Sequence, residues 1–455
     1  MQPWRKALVV GAAKSGIAAA LFLRQKGVEV TLCDIKTAAE LEESLKEYDL
    51  GGVELFAGGY PPVKGKAFDL VVMSPGVPLT VPPVKEAREE GIPVISELEL
   101  AYRYARAPIV AVTGTNGKTT TTSLIGELMK TVFPRVLVGG NIGRPLVTEV
   151  EEYGPEDVIV AEVSSFQLET TDQFRPRVAV ILNITPDHLD RHGTMEGYRE
   201  AKARIFARQE REDFTVLNYD DPLVRPFAER TRGEVIFFSR RHKLEKGVFV
   251  AEDTIFVRAC EREERVLPAA QLKIRGSHNL ENALAATAAA WAMGVPVAEI
   301  ARVLREFKGV AHRMEPVAEI DGVLYVNDSK GTNPDAAIKA LDSYFEPIVL
   351  IAGGRNKGSS FAEFARKIKE KVRFLILIGE AAPEIKEAVL ATGFTSIVEA
   401  GSLEEAVALA RKEARPGEVV LLSPACASWD MFKNYEERGD LFRQAVLSLQ
   451  EREKR

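Results

Sequence analysis

Ile109-Val110-Ala111-Val112-Thr113-Gly114-Thr115-Asn116-Gly117-Lys118-Thr119-Thr120 is a β-branched run that breaks into a Gly-rich turn and then opens an apolar-periodic segment reaching Met129. A strand, a turn with two glycines and a helix beginning Lys-Thr make a phosphate-binding loop. The backbone N–H groups of Gly114, Thr115, Asn116 and Gly117 can approach phosphate oxygens. Lys118 neutralises the terminal phosphates, Thr119 can ligate Mg²⁺ and Thr120 continues the helix N-terminus. The first glycine of the longer G-x-x-x-x-G-K-[ST] pattern falls on Val112, so the chain carries the shorter G-x-x-G-K-T form. A Gly-rich turn that binds nothing is the alternative.

Working outward on the C-terminal side, Val158–Ala161 is a buried strand ending on Glu162. A carboxylate at such a tip beside a phosphate loop can bind the nucleotide's Mg²⁺ or activate a nucleophile, or it is a solvated strand end. The next strand, Val178–Leu182, leads to Asp187-His188-Leu189-Asp190-Arg191-His192, two of only five histidines in the chain. If its strand neighbours that of Glu162, His188 offers a second metal position. A helix is expected from Met195 to Arg211, with Lys202 on its apolar face, where spacing alone favours a snorkelling side chain. A β-rich excursion from Phe214 to Val266 precedes an Ala-rich helix on which Asn279 and Asn282 share a face, to read an adenine edge or to cap the helix.

On the N-terminal side, Ala7–Val10, a Gly turn, an Ala/Leu helix and Val28–Cys33 closing on Asp34 form a βαβ unit. Gly11-Ala12-Ala13-Lys14-Ser15-Gly16 is a degraded dinucleotide fingerprint. It leaves open a dehydrogenase, a nucleotide-diphosphate pocket and a bare turn. Leu70–Met73 ends in Ser74-Pro75-Gly76 at the carboxyl edge of the same sheet. A boundary is expected around 96–107. A third α/β segment follows Phe307–Arg313; three of its strands end on Asn327–Pro334, Ala352–Gly358 and Ser423–Asp430, loops suited to a small anionic molecule, with Lys330 and Lys357 supplying positive charge.

With 455 residues, about three domains are expected. A net charge of −6 leaves no basic excess to hold nucleic acid, and no apolar run approaches the roughly 20 residues of a membrane span. Three scattered cysteines, Cys33, Cys260 and Cys426, form neither a metal spacing nor an even disulfide set. The start of the chain runs into its first strand without a leader pattern, so a cytoplasmic protein is expected.

Taken together, Gly114–Thr119, Gly140-Asn141-Ile142-Gly143, Glu162-Val163-Ser164-Ser165-Phe166-Gln167-Leu168-Glu169, Asp187–Asp190, His278-Asn279-Leu280-Glu281-Asn282, His312-Arg313 and Asn327–Asn333 resemble the Mur ligase family along the whole chain. The run Ser423-Pro424-Ala425-Cys426-Ala427-Ser428-Trp429-Asp430, continuing to Gly439, looks like the members that add D-glutamate to UDP-N-acetylmuramoyl-L-alanine. The resemblance implies three α/β domains. These are a Rossmann-like N-terminal domain binding the UDP substrate (1–98), a central P-loop ATP-binding domain (99–309) and a Rossmann-like C-terminal domain binding the amino acid (310–455). It implies ATP and two Mg²⁺ ions, with Mn²⁺ able to substitute, and a monomer acting on small molecules, away from nucleic acid and membrane.

By the same resemblance Lys118, Glu162, His188 and Lys202 are catalytic, and Thr119, Glu162, His188 and Lys202 hold metal, Lys202 as a carbamylated lysine rather than a snorkelling one. Asn279 and Asn282 meet adenine, and Arg313 and Asp328 the ribose-phosphate region. Ser15, Asp34, Lys36, Ser74, Gly76 and Asn141 hold the uridine diphosphate. Lys330, Thr332, Lys357, Ser428 and Tyr435 take the amino acid. The Gly11–Gly16 turn is the least family-like stretch, with Ala13 and Lys14 in place of a glycine and an apolar residue often found there, and Lys14 could add a diphosphate contact. Closure of the third domain about Gly309–Arg313 is expected. Rival readings are another amino-acid ligase of the family, a folylpolyglutamate synthetase, a non-catalytic nucleotide-binding regulator and an NAD oxidoreductase.

Overall fold

The computed structural model describes residues 4–259, 262–356 and 358–453. The buried β-branched runs form three sheets. The first is wholly parallel, in the order Val53–Ala57, Glu29–Asp34, Lys6–Val10, Leu70–Met73, Val94–Ser96. The second has nine strands, in the order Arg262–Pro268, Thr254–Ala259, Gly247–Ala251, Glu234–Ser239, Phe214–Asn218, Val178–Ile181, Ile109–Thr113, Val158–Glu162, Val136–Gly140. Only its two outermost pairings at the Arg262–Pro268 end are antiparallel. The third runs Glu315–Ile320, Val323–Asn327, Val419–Leu422, Ile348–Gly353, Val372–Ile378, Ile397–Glu399, parallel except for the first pair. Three α/β domains with crossover helices are what strands of continuous apolar sequence, buried on both faces, require.

The chain divides into two compact units, one reaching Gln271 and including Glu281–Arg305, the other formed by Leu272–Leu280 and Glu306–Arg455. In the first unit one apolar core runs from Ala7 on the first sheet and Leu23 on the helix Lys14–Gln25 through Leu98 and Val147 to Ala161 and Ile181 on the second sheet. In the second unit the third sheet is covered on both faces, by Phe364 and Ile385 on one and Val407 and Phe442 on the other. Among the described residues no helix is long and apolar enough to cross a membrane. Cys33 and Cys426 are buried and in no disulfide, and Cys260 lies outside the described residues.

Two sequence expectations are corrected. The helix expected to reach Arg211 stops as an α-helix at Ala203 and gives way to a 3₁₀ turn, Arg204–Phe206. Arg204 donates to the carbonyls of Leu168 and Thr171 and Gln209 to those of Pro176 and Phe214, and these acceptors outside the helix outcompete helical propensity. The strand before His188 is not the neighbour of the strand of Glu162: Ile109–Thr113 lies between them. Crossover order is set by helix packing rather than by chain order, and the result is a phosphate loop flanked on both sides.

The connecting helix Glu97–Tyr104 buries two carboxylates. Glu99 accepts the N–H groups of Asp172, Gln173 and Phe174 at 3.0 Å and pairs with Arg103 at 2.8 Å. Glu97 Oε1 accepts the N–H of Val147 at 2.8 Å, while Oε2 is buried without a partner. Burial pushes the Glu97 carboxyl from 4.5 up to about 7. The folded state therefore keeps a proton that the unfolded chain loses, and stability falls as pH rises from about 4.5 to 7. The loss is on the order of 3 kcal/mol at about 1.4 kcal/mol per pH unit. Glu97→Gln is expected to raise the melting temperature at pH 8 and to match the parent protein near pH 4.5, as differential scanning calorimetry across that range would read. Parallel pH profiles for the two proteins would rule this out.

Candidate active site

The phosphate loop is built where Ile109–Thr113 meets the helix Lys118–Met129. Gly117 closes it at φ +83°, and a Cβ there would lie 2.1 Å from Asn282 Oδ1. Only glycine fits both the left-handed turn and that approach. Asn282 thus lies against the phosphate loop. The other side is zipped to the segment after Val178–Ile181. Thr115 N donates to Asn183 O (2.9 Å) and Asn116 N to Asn183 Oδ1 (2.9 Å). Asn183 Nδ2 returns a bond to Asn116 O (3.1 Å), and Thr185 N reaches Thr115 Oγ1 (3.0 Å).

Two lysines converge on this loop. Lys118 Nζ donates to the carbonyls of Gly114 and Thr115, both at 2.9 Å. Lys202 Nζ, on a side chain only 1% exposed, donates to the same Gly114 carbonyl at 2.9 Å and sits 4.5 Å over the Tyr198 ring. Burial first, and then the charge of Lys118, push the Lys202 ammonium well below the usual lysine range. This is not a snorkelling side chain: its amine is inside, under the loop.

On the other flank Glu162 is buried at its strand tip. Asn141 donates through Nδ2 to Oε1 (2.8 Å) and through its N–H to the Glu162 carbonyl (2.9 Å). Oε2 has no partner. His188 is half-exposed with a left-handed backbone (φ +52°), and its ring lies 4.8 Å from that of Phe166. Behind it, His192 bridges Ser165 Oγ (3.0 Å) and Glu169 (3.3 Å). Among the described residues no group of three or more His, Cys, Asp or Glu is placed to hold a metal ion.

In the first domain the Gly-rich turn is well made despite its degraded motif. Gly11 stands at φ +99°, and Gly16 packs so closely that a Cβ would lie 1.8 Å from the Gly11 carbonyl. Ser74 Oγ donates to that carbonyl (3.0 Å), and Asp34 accepts the N–H groups of Ala12 (2.8 Å) and Lys36 (2.9 Å). Ser15 lies in the first turn of the helix Lys14–Gln25, whose N-cap has no side-chain bond; Lys36, Gly76 and Asn141 are exposed. Lys14 and Arg144 line one cavity of about 410 Å³ between that helix and the segment Gly143–Thr148.

In the second unit Asp328 is buried, bonded by Ser423 Oγ (2.8 Å) and Met314 N (3.2 Å), and burial raises its carboxyl from 3.8 to about 6. Arg313, close enough for its charge to oppose that shift, holds its Nε buried without an acceptor. Asn279 donates through Nδ2 to Arg275 O (2.8 Å), which ties the first turn of its helix to the residue two before its start. Lys330 lies 5.4 Å over the Tyr435 ring, its N–H bonded to His312 O (2.9 Å); Thr332 N turns back to Lys330 O (2.9 Å); Ser428 is buried. Lys357 lies outside the described residues.

The comparisons with known proteins fit this architecture domain by domain. Residues 5–96 match the family model described as Mur ligase MurD-like, N-terminal domain, 112–290 the Mur ligase middle domain, and 312–426 the Mur ligase glutamate ligase domain. The UDP-N-acetylmuramoylalanine–D-glutamate ligase of Pelotomaculum thermopropionicum is 61% identical over 445 residues, 98% of each chain. The chain belongs to the Mur ligase family. The enzyme of the same description from Caldanaerobacter subterraneus is 49% identical, again over 98% of both chains. Among solved structures, the UDP-N-acetylmuramate–alanine ligase of Thermotoga maritima superimposes with a TM-score of 0.59 at 20% identity, covering 98% of this chain and 99% of its own. That likeness is one of Mur ligase fold.

Sequence reading of this Mur ligase missed two residues that organise its loops. Asn183 fixes the phosphate loop, and its signal was an amide at the end of a strand. Arg438 is fully buried among the loops of the third sheet. Asn183→Ala removes both side-chain bonds to Asn116, each worth about 1 kcal/mol. It is expected to raise the KM for ATP about tenfold or more while the KM for the amino acid stays put. An unchanged KM for ATP in steady-state assays would deny Asn183 this role.

Proposed function

We propose that the protein joins D-glutamate to UDP-N-acetylmuramoyl-L-alanine at the expense of ATP, releasing ADP and phosphate, in the cytoplasm as a step of peptidoglycan synthesis and so of cell-wall biogenesis, cell shape and division. Identity to D-glutamate ligases along the whole chain is the observation that carries this reading. The buried Lys202–Gly114–Lys118 arrangement beside Glu162 supports the chemistry. In this reading the protein is a monomer serving small-molecule substrates, with no nucleic acid or membrane partner.

A carboxylate and an amine do not condense in water, so the substrate carboxylate first takes the γ-phosphoryl group of ATP and becomes an acyl phosphate. The amine of D-glutamate then attacks the carbonyl carbon: a C–N bond forms, the C–O bond to phosphate breaks with its electron pair going to the departing phosphate, and the nitrogen gives up a proton to leave the amide. The braced loop presents its N–H groups to the phosphates, and Lys118 exchanges its carbonyl partners for phosphate oxygens. The orphaned Glu162 Oε2 is an anionic oxygen without a partner, the kind of donor that Mg²⁺ or Mn²⁺ takes. Thr119 with Glu162 would hold one ion, and Glu162, His188 and carbamylated Lys202 a second. Such ions, when bound, offset the repulsion between carboxylate and triphosphate.

Carbamylation needs a free amine to attack CO₂, and burial favours that form of Lys202. Asn282 braces Gly117 as well as serving the nucleotide, Asn279 serves adenine, and Arg313 offers its unpartnered Nε–H to the ribose-phosphate region beside Asp328. Ser15, Asp34, Lys36, Ser74, Gly76 and Asn141 serve the uridine diphosphate, with Lys14 adding positive charge. Lys330, Thr332, Lys357, Ser428 and Tyr435 serve D-glutamate.

The test is phosphate release from ATP with UDP-N-acetylmuramoyl-L-alanine present, comparing D-glutamate, L-glutamate, L-alanine, meso-diaminopimelate and no amino acid. Release confined to D-glutamate is expected. Release with another of these amino acids would reassign the acceptor, and none with any would sink the catalytic reading.

A further inference from the structure

Beneath the loops of the third sheet lies a cation to which the proposed mechanism gives no task. Arg438, in the first turn of the helix Tyr435–Glu453, is 0% exposed. Its Nε donates to Ser329 Oγ (2.9 Å) and its Nη2 to Ser329 O (2.7 Å). Its Nη1 donates to the carbonyls of Cys426 (3.3 Å) and Ala427 (3.4 Å). Ser329 Oγ passes its own proton to Tyr435 O (2.8 Å). One guanidinium therefore gathers the residue before Lys330, the two residues before Ser428, and Tyr435.

These acceptors are all neutral. Neither acid whose charge reaches Arg438 bonds to it: Asp328 accepts from Ser423 and Met314, and Asp430 accepts the N–H of Glu380 through Oδ2 (2.9 Å) while its Oδ1 is buried without a partner. Burial lowers the guanidinium only to about 10, so it stays charged at neutral pH. A buried charge whose hydrogen bonds all go to neutral groups has lost its hydration, and the charges of Asp430 and Asp328 offset that loss only in part.

A second observation gives the direction in which this charge acts. The Ala427 carbonyl accepts from both Arg438 and Arg355 N (2.9 Å). In a planar trans peptide the N–H lies opposite the C=O, so the N–H of Ser428 points away from the guanidinium. It has no internal acceptor among the described residues. The peptide dipole thus carries the positive field of Arg438 outward to an unused donor on a loop suited to an anion.

We propose that Arg438 is a positioning residue for selectivity, holding the Ser428 N–H and the positive field of this loop ready for a side-chain carboxylate, so that the site prefers a dicarboxylic amino acid to its neutral isostere. This rests on the reading of the protein as a D-glutamate ligase, and the test keeps the two apart.

Steady-state phosphate release is measured with D-glutamate and with D-glutamine for the unmodified protein, Arg438→Gln, Arg438→Lys and Ser329→Asp. Ser329→Asp leaves the guanidinium in place and gives it a counter-ion. Arg438→Gln and Ser329→Asp are expected to raise the KM for D-glutamate about tenfold and to reduce the D-glutamate over D-glutamine preference in kcat/KM by a like factor. The KM for ATP should change less than the KM for D-glutamate, since Asp328, the nearest residue given to the nucleotide, keeps its bonds to Ser423 and Met314. Arg438→Lys is expected to lose rate with both amino acids yet keep the preference.

A merely structural clamp would lower both amino acids together and leave their ratio intact, which would overturn the proposal. So would Ser329→Asp retaining the full preference, whether or not Arg438→Gln folds. Absence of D-glutamate-dependent release in the unmodified protein would instead overturn the ligase reading itself.

Discussion

Lys202→Ala is expected to lower kcat about 10³-fold, the scale seen when a preorganised charged group is removed from a transition state. The side chain is buried beneath the loop, it shares the Gly114 carbonyl with Lys118, and burial shifts it toward the free amine. The substitution removes both the brace on the loop and the group that CO₂ would convert to a carboxylate. Two readouts separate these effects. With ¹³C-bicarbonate, the unmodified protein should give a carbamate resonance that Lys202→Ala lacks. Affinity for ADP should fall only modestly, because Asn183, Thr185 and Asn282 still hold the loop. Activity within about threefold of the unmodified protein at saturating substrate would remove Lys202 from the mechanism.

Glu162→Gln is the sharper substitution and is expected to cost about 10²- to 10³-fold in kcat. Glutamine keeps an Oε1 to accept from Asn141 Nδ2, so the tie that fixes the side chain survives, and only the charge and the unpartnered Oε2 are lost. The melting temperature should therefore hold while the Mg²⁺ concentration needed for half-maximal rate rises. A fall in melting temperature matching the loss of rate, with an unchanged Mg²⁺ requirement, would make Glu162 a packing residue. The Asn141 bond also ties the turn Gly140–Gly143 to the Glu162 carboxylate.

What could be read from the chain was what is encoded locally. The strand, the two glycines and Lys118-Thr119 announced the phosphate loop because each residue type answers a need of its own position. Glu162 announced itself as a carboxylate ending an apolar run. The order of strands is not legible in this way: the strands of Glu162 and His188 read as candidates for neighbours, and the loop strand lies between them. Lys202 shows the same limit: its helical spacing indicated snorkelling, and its real partner, Gly114 O, is 88 residues away in the chain. Asn183 acts across 67 residues and Arg438 across 109, and neither has a neighbour in sequence that hints at its partner. The expected helix end at Arg211 failed for a related reason, since carbonyls outside the helix took Arg204 and Gln209.

The braces of the phosphate loop also set when it can first work. Residues 114–117 leave the ribosome early, but the segment that zips them begins at Asn183, and the side chain that packs against Gly117 is Asn282. Parallel strands joined by crossovers must close long loops before any of their contacts form. A nascent chain cut short before residue 183 therefore holds the whole Gly-rich motif and no nucleotide pocket, and one cut before 282 holds the pocket without its last support. Retention on immobilised nucleotide thus reports that the first unit has been completed through Asn282, a test of finished synthesis as much as of folding.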